Sequence, residues 1–113
     1  MSSITVVNKY KYKSGDLPGI EVNIMRGSLL GNPYPMQGKD DRDRVCDLYE
    51  MWLRDHWRNK TEIGQELIRL VELVLAGNDL ILVCCCKPLR CHGDFIKYAI
   101  EEVVNHLNPA LLN

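Results

Sequence analysis

An uninterrupted apolar run at residues 80–86 constrains the fold of this chain more than any other feature. The run reads Leu-Ile-Leu-Val-Cys-Cys-Cys and has no charged residue within it, a pattern typical of a strand that is buried on both faces. Strands of this kind lie inside parallel sheets that helices cover. The run is much too short to cross a bilayer. It therefore predicts a buried strand within the sheet of an α/β fold.

The rest of the chain supplies further strands and helices around this run. Residues 4–12 are rich in β-branched and aromatic residues and residues 20–24 alternate apolar with polar, so both are predicted strands, able to pair as a hairpin. Apolar stripes at helical spacing predict helices over residues 45–56, 63–74 and 94–107. The predicted capping residues are Asp40 or Asp41, then Asn59 with Glu62, then Asp94, with Gly77 and Asn78 at the end of the second helix. The 113 residues fit a single compact α/β domain over residues 1–113.

Composition limits the classes of partner. Lysine and arginine number 14 against 15 aspartate and glutamate residues, so we expect neither bulk nucleic-acid binding nor a membrane partner. The first residues lack the basic and apolar regions of a secretory signal, which predicts a cytoplasmic protein. Five cysteines in such a chain are expected to be reduced thiols.

The first loop, residues 26–33, reads Arg-Gly-Ser-Leu-Leu-Gly-Asn-Pro and follows a predicted strand. Gly27 and Gly31 allow backbone N–H groups to approach an anion closely, and Arg26 can grip a phosphate or carboxylate with two parallel hydrogen bonds. Ser28 and Asn32 add short polar groups suited to a ribose or a base. The alternative is a turn whose arginine pairs with one of the acidic residues.

The second loop, residues 87–94, follows the buried strand and leads into the last helix. Its candidate anion ligands are Lys87, Arg90, His92, Gly93 and Asp94, acting with the helix N-terminus. Asp94 is also a simple helix cap, and Gly93 a permissive turn before it. In open α/β sheets ligands bind beyond the carboxyl ends of strands, so parallel strands would place the two loops side by side.

The cysteines of this region support three interpretations. Cys84, Cys86, Cys91 and His92 are the ligand types that zinc prefers, but they also suit buried thiols that pack as small hydrophobic groups. Cys91 precedes a helix, where the dipole lowers the pKa of a thiol. Cys91, His92 and Asp94 are therefore candidate catalytic residues as nucleophile or base. No metal or other cofactor is favoured, and zinc remains the alternative.

Together the loops resemble a known family. Arg-Gly-Ser-x-x-Gly-Asn-Pro, followed by Cys-x-Cys-Lys-Pro-x-x-Cys-His-Gly-Asp, is similar to DUF4326, a domain of unknown function common in phages and also found in bacteria. The resemblance spans residues 22–104. It departs at Met25, where the family often has a glycine. It implies a Rossmann-like α/β fold, similar to nucleotide-sensing and nucleoside-processing domains, and a phage origin, which would place the protein in the host cytoplasm.

These observations lead to one expected function and two alternatives. We expect a binding protein that captures a nucleotide-derived small molecule between the two loops, such as a host defence signal, and that forms a homo-oligomer to close a shallow pocket. The first alternative is an enzyme that acts on a nucleoside or nucleotide through Cys91, His92 or Asp94. The second is a structural domain whose second loop is held by zinc or by packed thiols. Fold alone does not decide among them.

Overall fold

The computed structural model describes residues 2–112 and confirms the α/β fold. In chain order the elements are β1 (Ile4–Asn8), β2 (Ile20–Asn23), a 3-10 turn (Lys39–Asp41), α1 (Arg42–Asn59), α2 (Glu62–Leu75), β3 (Leu80–Cys84) and α3 (His92–Leu107). Within these residues the sheet has three parallel strands in the order β1-β3-β2. The likeness to larger Rossmann sheets is therefore a loose one.

The apolar run forms β3, the buried strand that it predicted, and the structure places this strand at the centre of the sheet. It pairs in parallel with β1 on one side and with β2 on the other, and Leu80 lies opposite both Ile4 and Ile20. Its residues Leu80 to Leu82 are at most 1% exposed, because neighbours cover both faces. Regular pairing stops at Cys84 and does not reach residue 86. The alternation of side chains along a strand thus does not extend to Cys86.

The predicted hairpin between the first two strands is wrong. β1 and β2 do not pair with each other, since β3 lies between them. Residues 9–19 carry the chain back across the sheet, so that β2 begins at the same end as β1. The first strand also ends at Asn8, well before residue 12, and β2 ends at Asn23. Both short strands gain their partners only from a strand much later in the chain.

The three helices form one core with the sheet. α3 packs directly against β1 and β3, while α1 and α2 pack against α3 and against each other. The predicted apolar stripes supply the buried side chains, among them Tyr49 on α1, Leu70 on α2 and Ile96 on α3, all fully buried. Burying each such side chain stabilises the fold by about 1.5–3 kcal/mol. No helix within residues 2–112 has both the length and the apolar character needed to span a bilayer.

Two of the predicted helix starts are wrong and one helix end is confirmed. The α2 cap is Thr61, whose hydroxyl accepts a hydrogen bond from the Gly64 N–H at 3.3 Å, and not Asn59. α3 begins at His92 with Cys91 as its cap, so Asp94 lies in the first turn instead of preceding the helix. The C-terminus of α2 ends as predicted, with a left-handed glycine at position 77. Asp41 precedes α1 as expected, although its side chain caps no helix N–H.

Candidate functional site

The parallel pairing of β2 and β3 brings the first and second loops together at the carboxyl ends of the two strands, as predicted. The first loop is a tight backbone turn. Gly27 has a φ of 95°, and the Ser28 N–H and hydroxyl both donate to the Met25 carbonyl, at 3.0 and 2.6 Å. Gly31 then returns so close to this carbonyl that a Cβ would clash with its oxygen and lie 3.0 Å from the Cα of Arg26. The glycines thus serve the path of the loop itself.

Three buried side chains fix the first loop to its neighbours. The Tyr49 hydroxyl donates to the Leu30 carbonyl at 2.6 Å, and the Asn32 side-chain amide donates to the Val45 carbonyl at 3.2 Å. The third is His92, described next. Each of the three donates to the backbone carbonyl of a buried residue, so loss of the bond would leave a buried acceptor unsatisfied.

His92 joins the start of α3 to the first loop. Its Nε2 is hydrogen-bonded to the Ile24 carbonyl, so this nitrogen carries the proton and donates. The imidazole is 7% exposed and meets the Tyr49 ring edge-on, with 5.0 Å between the ring centroids. Burial lowers the pKa of His92, and the nearby Arg26 charge acts in the same direction. The neutral imidazole therefore acts as a link between the two loops.

The charged side chains of the second loop all have partners. Lys87 forms an ion pair with Asp94, and Asp94 also accepts a hydrogen bond from the Cys91 N–H at 3.2 Å, completing the cap of α3. Arg90 donates to three carboxylates of α1 at 2.9–3.0 Å. These carboxylates belong to Asp43, Asp47 and Glu50. The sequence did not indicate that Arg90 is neutralised in this way, because its partners lie forty or more positions earlier in the chain.

Two buried thiols meet where β3 ends and α3 begins. The Sγ atoms of Cys84 and Cys91 are 3.5 Å apart and share a hydrogen bond. This bond lowers the pKa of Cys84 to about 6, helped by the N–H groups of Cys86 and Lys87. The same bond, together with burial, raises the pKa of Cys91. The thiolate predicted for Cys91 at the helix start is thus opposed by its surroundings.

The predicted zinc ligands do not converge. Within residues 2–112 no three histidine, cysteine, aspartate or glutamate side chains lie close enough together to hold a metal ion. Cys84 and Cys91 are fully buried, Cys86 is half-buried, and His92 is hydrogen-bonded to a carbonyl. Cys91, His92 and Asp94, the candidate catalytic residues, each make a contact that stabilises the loops.

A cavity of about 230 Å³ opens between the two loops. The candidate ligand residues on its wall are Arg26, Asn32, Arg90 and His92. Further lining comes from Met25, Met36, Val45, Cys46, Cys85, Cys86 and Cys91, and from Arg42 at the first position of α1. The cavity thus lies beside the N-termini of both α1 and α3, where helix dipoles favour an anion.

The other candidates lie on neighbouring surfaces. A different cavity is lined by Gly27, Ser28 and Gly31 of the first loop together with Trp52 of α1. Asp94 lines a third cavity of about 360 Å³, which shares Arg90 and His92 with the cavity between the loops. Lys87 and Gly93 line none of these three. The buried Gly93 instead lies against β1 and the end of β2, where a Cβ would come within 2.9 Å of Val6 and Ile24.

Arg42, which lines the cavity between the two loops, was not predicted from the sequence. Its guanidinium donates to the Arg90 carbonyl at 3.0 Å and has no carboxylate within 4.0 Å among residues 2–112. Arg44, two positions later, is paired with Asp41. A signal was available: a cation at the first position of a helix opposes the helix dipole. Such a residue, lacking an acid one turn away, is a candidate for binding an external anion.

Comparisons with known proteins agree with the motifs in these loops. The family model described as "Domain of unknown function (DUF4326)" matches residues 7–102, which includes the end of β1 and most of α3. An uncharacterised 12.4 kDa protein from the nrdA–td intergenic region of Enterobacteria phage T4 is 35% identical over 98 residues, covering 87% of this chain and 78% of the phage protein. No solved structure matches the chain significantly. The chain belongs to the DUF4326 family.

Proposed function

We propose that the cavity between the two loops binds a nucleotide-derived small molecule through its phosphate. The observation that carries this proposal is the pair of guanidinium groups, Arg26 and Arg42, on the cavity wall. Neither has a carboxylate within salt-bridge distance among residues 2–112, whereas Arg44, Arg58, Arg69 and Arg90 all do. Arg54 is also without an ion pair in these residues, but it lies over the Phe95 ring and does not line this cavity. Unneutralised arginines beside a cavity favour an anion such as phosphate, because the planar guanidinium can donate two parallel hydrogen bonds to a pair of phosphate oxygens.

The position of the two guanidinium groups supports a phosphate further. Arg26 donates to the carbonyls of Asn32 and Tyr34, at 2.9 and 3.2 Å, so the side chain is oriented while retaining further N–H donors. The N-termini of α1 and α3 contribute partial positive charge to the same cavity. These fixed dipoles and charges need little reorganisation when an anion enters.

The remaining walls suit an apolar ring. Met25, Met36 and Val45 line the cavity beside the arginines, and methionine side chains adapt to flat or irregular surfaces. The volume of about 230 Å³ is below the usual range for a drug-sized ligand, about 300–1,000 Å³. A second copy of the chain that closes the opening would enlarge the enclosed volume, and we therefore propose a homo-oligomer as the binding form.

The family relationship suggests where such binding would be used. The phage T4 relative is an uncharacterised protein, so it supplies a setting and no activity. We place the present chain, by extension, among small phage proteins that sequester a nucleotide signal of the host's defence. The proposal does not require turnover, because the proposed contacts are hydrogen bonds and charge interactions only.

Native mass spectrometry of the purified protein tests the proposal directly. The expected result is an oligomer that carries a phosphate-containing molecule, released intact when the protein is denatured. Isothermal titration with AMP, ADP and inorganic phosphate then measures binding to emptied protein. Loss of one charge-assisted contact in Arg26→Gln or Arg42→Gln is expected to weaken nucleotide binding by about 10–100-fold.

Arg44→Gln provides the matched control, since it removes the same charge two positions from Arg42 on an arginine that is already paired with Asp41. It should bind as the wild type does. Wild-type affinity in both Arg26→Gln and Arg42→Gln would overturn the proposal. The proposal would also be overturned if no nucleotide co-purified with the protein and if none of the added nucleotides bound at millimolar concentration.

A further inference from the structure

A basic and aromatic segment directly follows β1. Residues 9–13 read Lys-Tyr-Lys-Tyr-Lys and contain three of the seven lysines of the chain, although the net charge of the whole chain is −1. We call this segment the Lys-Tyr turn. It concentrates positive charge locally in a protein whose overall balance is slightly acidic.

The backbone of the Lys-Tyr turn is well anchored. The N–H groups of Lys11 and Tyr12 both donate to the Asn8 carbonyl, at 3.0 and 2.9 Å. The Asn8 side chain accepts from the Tyr10 N–H at 2.8 Å and donates to the Lys87 carbonyl at 2.6 Å. The turn therefore has a defined position at the carboxyl end of β1, on the same edge of the sheet as the two loops.

All side chains of the turn except Tyr12 extend into solvent; Tyr12 is half-buried, and its hydroxyl accepts a hydrogen bond from the Leu17 N–H at 3.4 Å. Lys9, Lys11 and Lys13 are exposed, and none of them lies within 4.0 Å of a carboxylate oxygen in the part of the chain that the structure describes. Tyr10 is 79% exposed, the highest value among the large hydrophobic side chains of residues 2–112. The Lys9 ammonium is 5.9 Å from the centroid of its ring. The nearby carboxylates of Asp16 and Glu21 accept hydrogen bonds from the Lys13 N–H and the Ser14 hydroxyl.

From this arrangement we infer that the Lys-Tyr turn binds single-stranded nucleic acid. Lysine ammonium groups neutralise backbone phosphates, and an exposed tyrosine ring offers a surface on which an unpaired base stacks. An acidic protein segment would pair with the three charges, whereas an unpaired nucleotide would engage both the charges and the face of the exposed ring. A short anchored turn also differs from the continuous basic surface that coats duplex DNA. The inference does not depend on the proposed nucleotide site.

Fluorescence polarisation with a labelled twelve-nucleotide oligo-dT and an oligo-U of equal length tests this inference on the full chain. We expect dissociation constants between about 1 and 100 µM. With about three phosphates neutralised, the affinity should fall about 20-fold between 50 and 200 mM salt. The triple variant Lys9→Gln/Lys11→Gln/Lys13→Gln should abolish measurable binding, and Tyr10→Ala should weaken it about 5–10-fold through lost stacking.

The controls separate a local surface from overall charge. Lys39→Gln/Lys60→Gln/Lys97→Gln removes the same charge elsewhere and should retain binding, while Tyr10→Phe keeps the ring and should bind as the wild type does. A twelve-residue polyglutamate peptide serves as the protein-like polyanion. The inference is overturned if the wild type binds neither oligonucleotide, or if both lysine triples lose affinity equally. Equal binding of polyglutamate, with no effect of Tyr10→Ala, would likewise overturn it and indicate an acidic protein partner.

Discussion

The first and second loops meet at one edge of the sheet, yet they treat their charged side chains in opposite ways. In the first loop, Arg26 is oriented by backbone carbonyls and keeps its charge uncompensated by any carboxylate in residues 2–112. In the second loop, Lys87 is paired with Asp94, and Arg90 with three acids of α1. A basic residue in a polar loop can therefore either stabilise the fold through an ion pair or keep its charge available for a ligand. Only its tertiary neighbours distinguish the two.

The loops also differ in what their glycines meet. Gly31 in the first loop approaches backbone atoms of Met25 and Arg26, whereas Gly93 in the second approaches the side-chain methyl groups of Val6 and Ile24. Backbone atoms in a closed turn cannot move aside without opening it. The Ile24 δ-methyl, at the end of a flexible side chain, can shift, and only the β-branched Val6 side chain is held firmly. The first loop should therefore be the less tolerant of an added methyl group.

The substitution that we expect to destabilise the fold most is the one at the glycine that meets backbone atoms. Gly31→Ala should lower the free energy of unfolding by about 2–4 kcal/mol, because the new Cβ clashes with the Met25 carbonyl. Gly93→Ala should cost less, about 1–2 kcal/mol. Urea denaturation followed by circular dichroism measures both values.

Gly38→Ala is the matched control for these substitutions. Its backbone is extended, with a φ of 166°, and a Cβ would meet nothing within 4 Å. We expect a change within about 0.5 kcal/mol. If Gly93→Ala proved more destabilising than Gly31→Ala, the backbone closure described for the first loop would be wrong.

A smaller effect should appear as a dependence on pH. His92 links the loops as a neutral imidazole, and burial lowers its pKa below the ordinary value of about 6.5. Above pH 6.5 His92 is largely neutral in both the folded and the unfolded chain, so it contributes almost no pH dependence to the free energy of unfolding. As the pH falls below about 6.5, the unfolded chain takes up a proton that the folded chain resists, and stability declines by at most about 1.4 kcal/mol per pH unit.

Urea unfolding at pH 7.5, 6.5, 5.5 and 5.0 measures this decline, with His92→Gln as the comparison because a glutamine amide can still donate to the Ile24 carbonyl. The wild type should lose more stability over this range than the variant does. Parallel curves for the two proteins would show that His92 does not titrate differently on folding, and its role as a neutral link would fail.

The sequence predicted well whatever depends on local pattern. The apolar run identified β3 as a buried strand, and the expectation that parallel strands would place the two glycine-containing loops side by side is confirmed. Strand partners were predicted poorly, because the alternation in residues 20–24 indicates a strand but says nothing about which strand lies next to it. Both β1 and β2 pair with β3, a strand that comes much later in the sequence.

The site was predicted only in part, for the same physical reason. The capping role of Cys91 was missed because cysteine is not among the preferred cap residues. Asp94, three positions later, was predicted as the cap instead. The neutralisation of Arg90 and the exposure of Arg42 to the cavity both depend on how α1 lies against the second loop. Neither can be derived from spacing within one segment.

The smallest expected change in stability is also the one that separates the two kinds of arginine. Arg90→Gln should lower the free energy of unfolding by about 0.5–1 kcal/mol, because its ion pairs with α1 are largely exposed and screened by solvent. Arg42→Gln should change it by less, since no carboxylate partner is lost. In 0.5 M sodium chloride the cost of Arg90→Gln should shrink further. The binding assay should rank the two variants in the opposite order, with AMP affinity retained in Arg90→Gln and weakened about 10–100-fold in Arg42→Gln. If one variant were the weaker in both assays, stability and binding would share a single set of charges, and the division of roles between the loops would not hold.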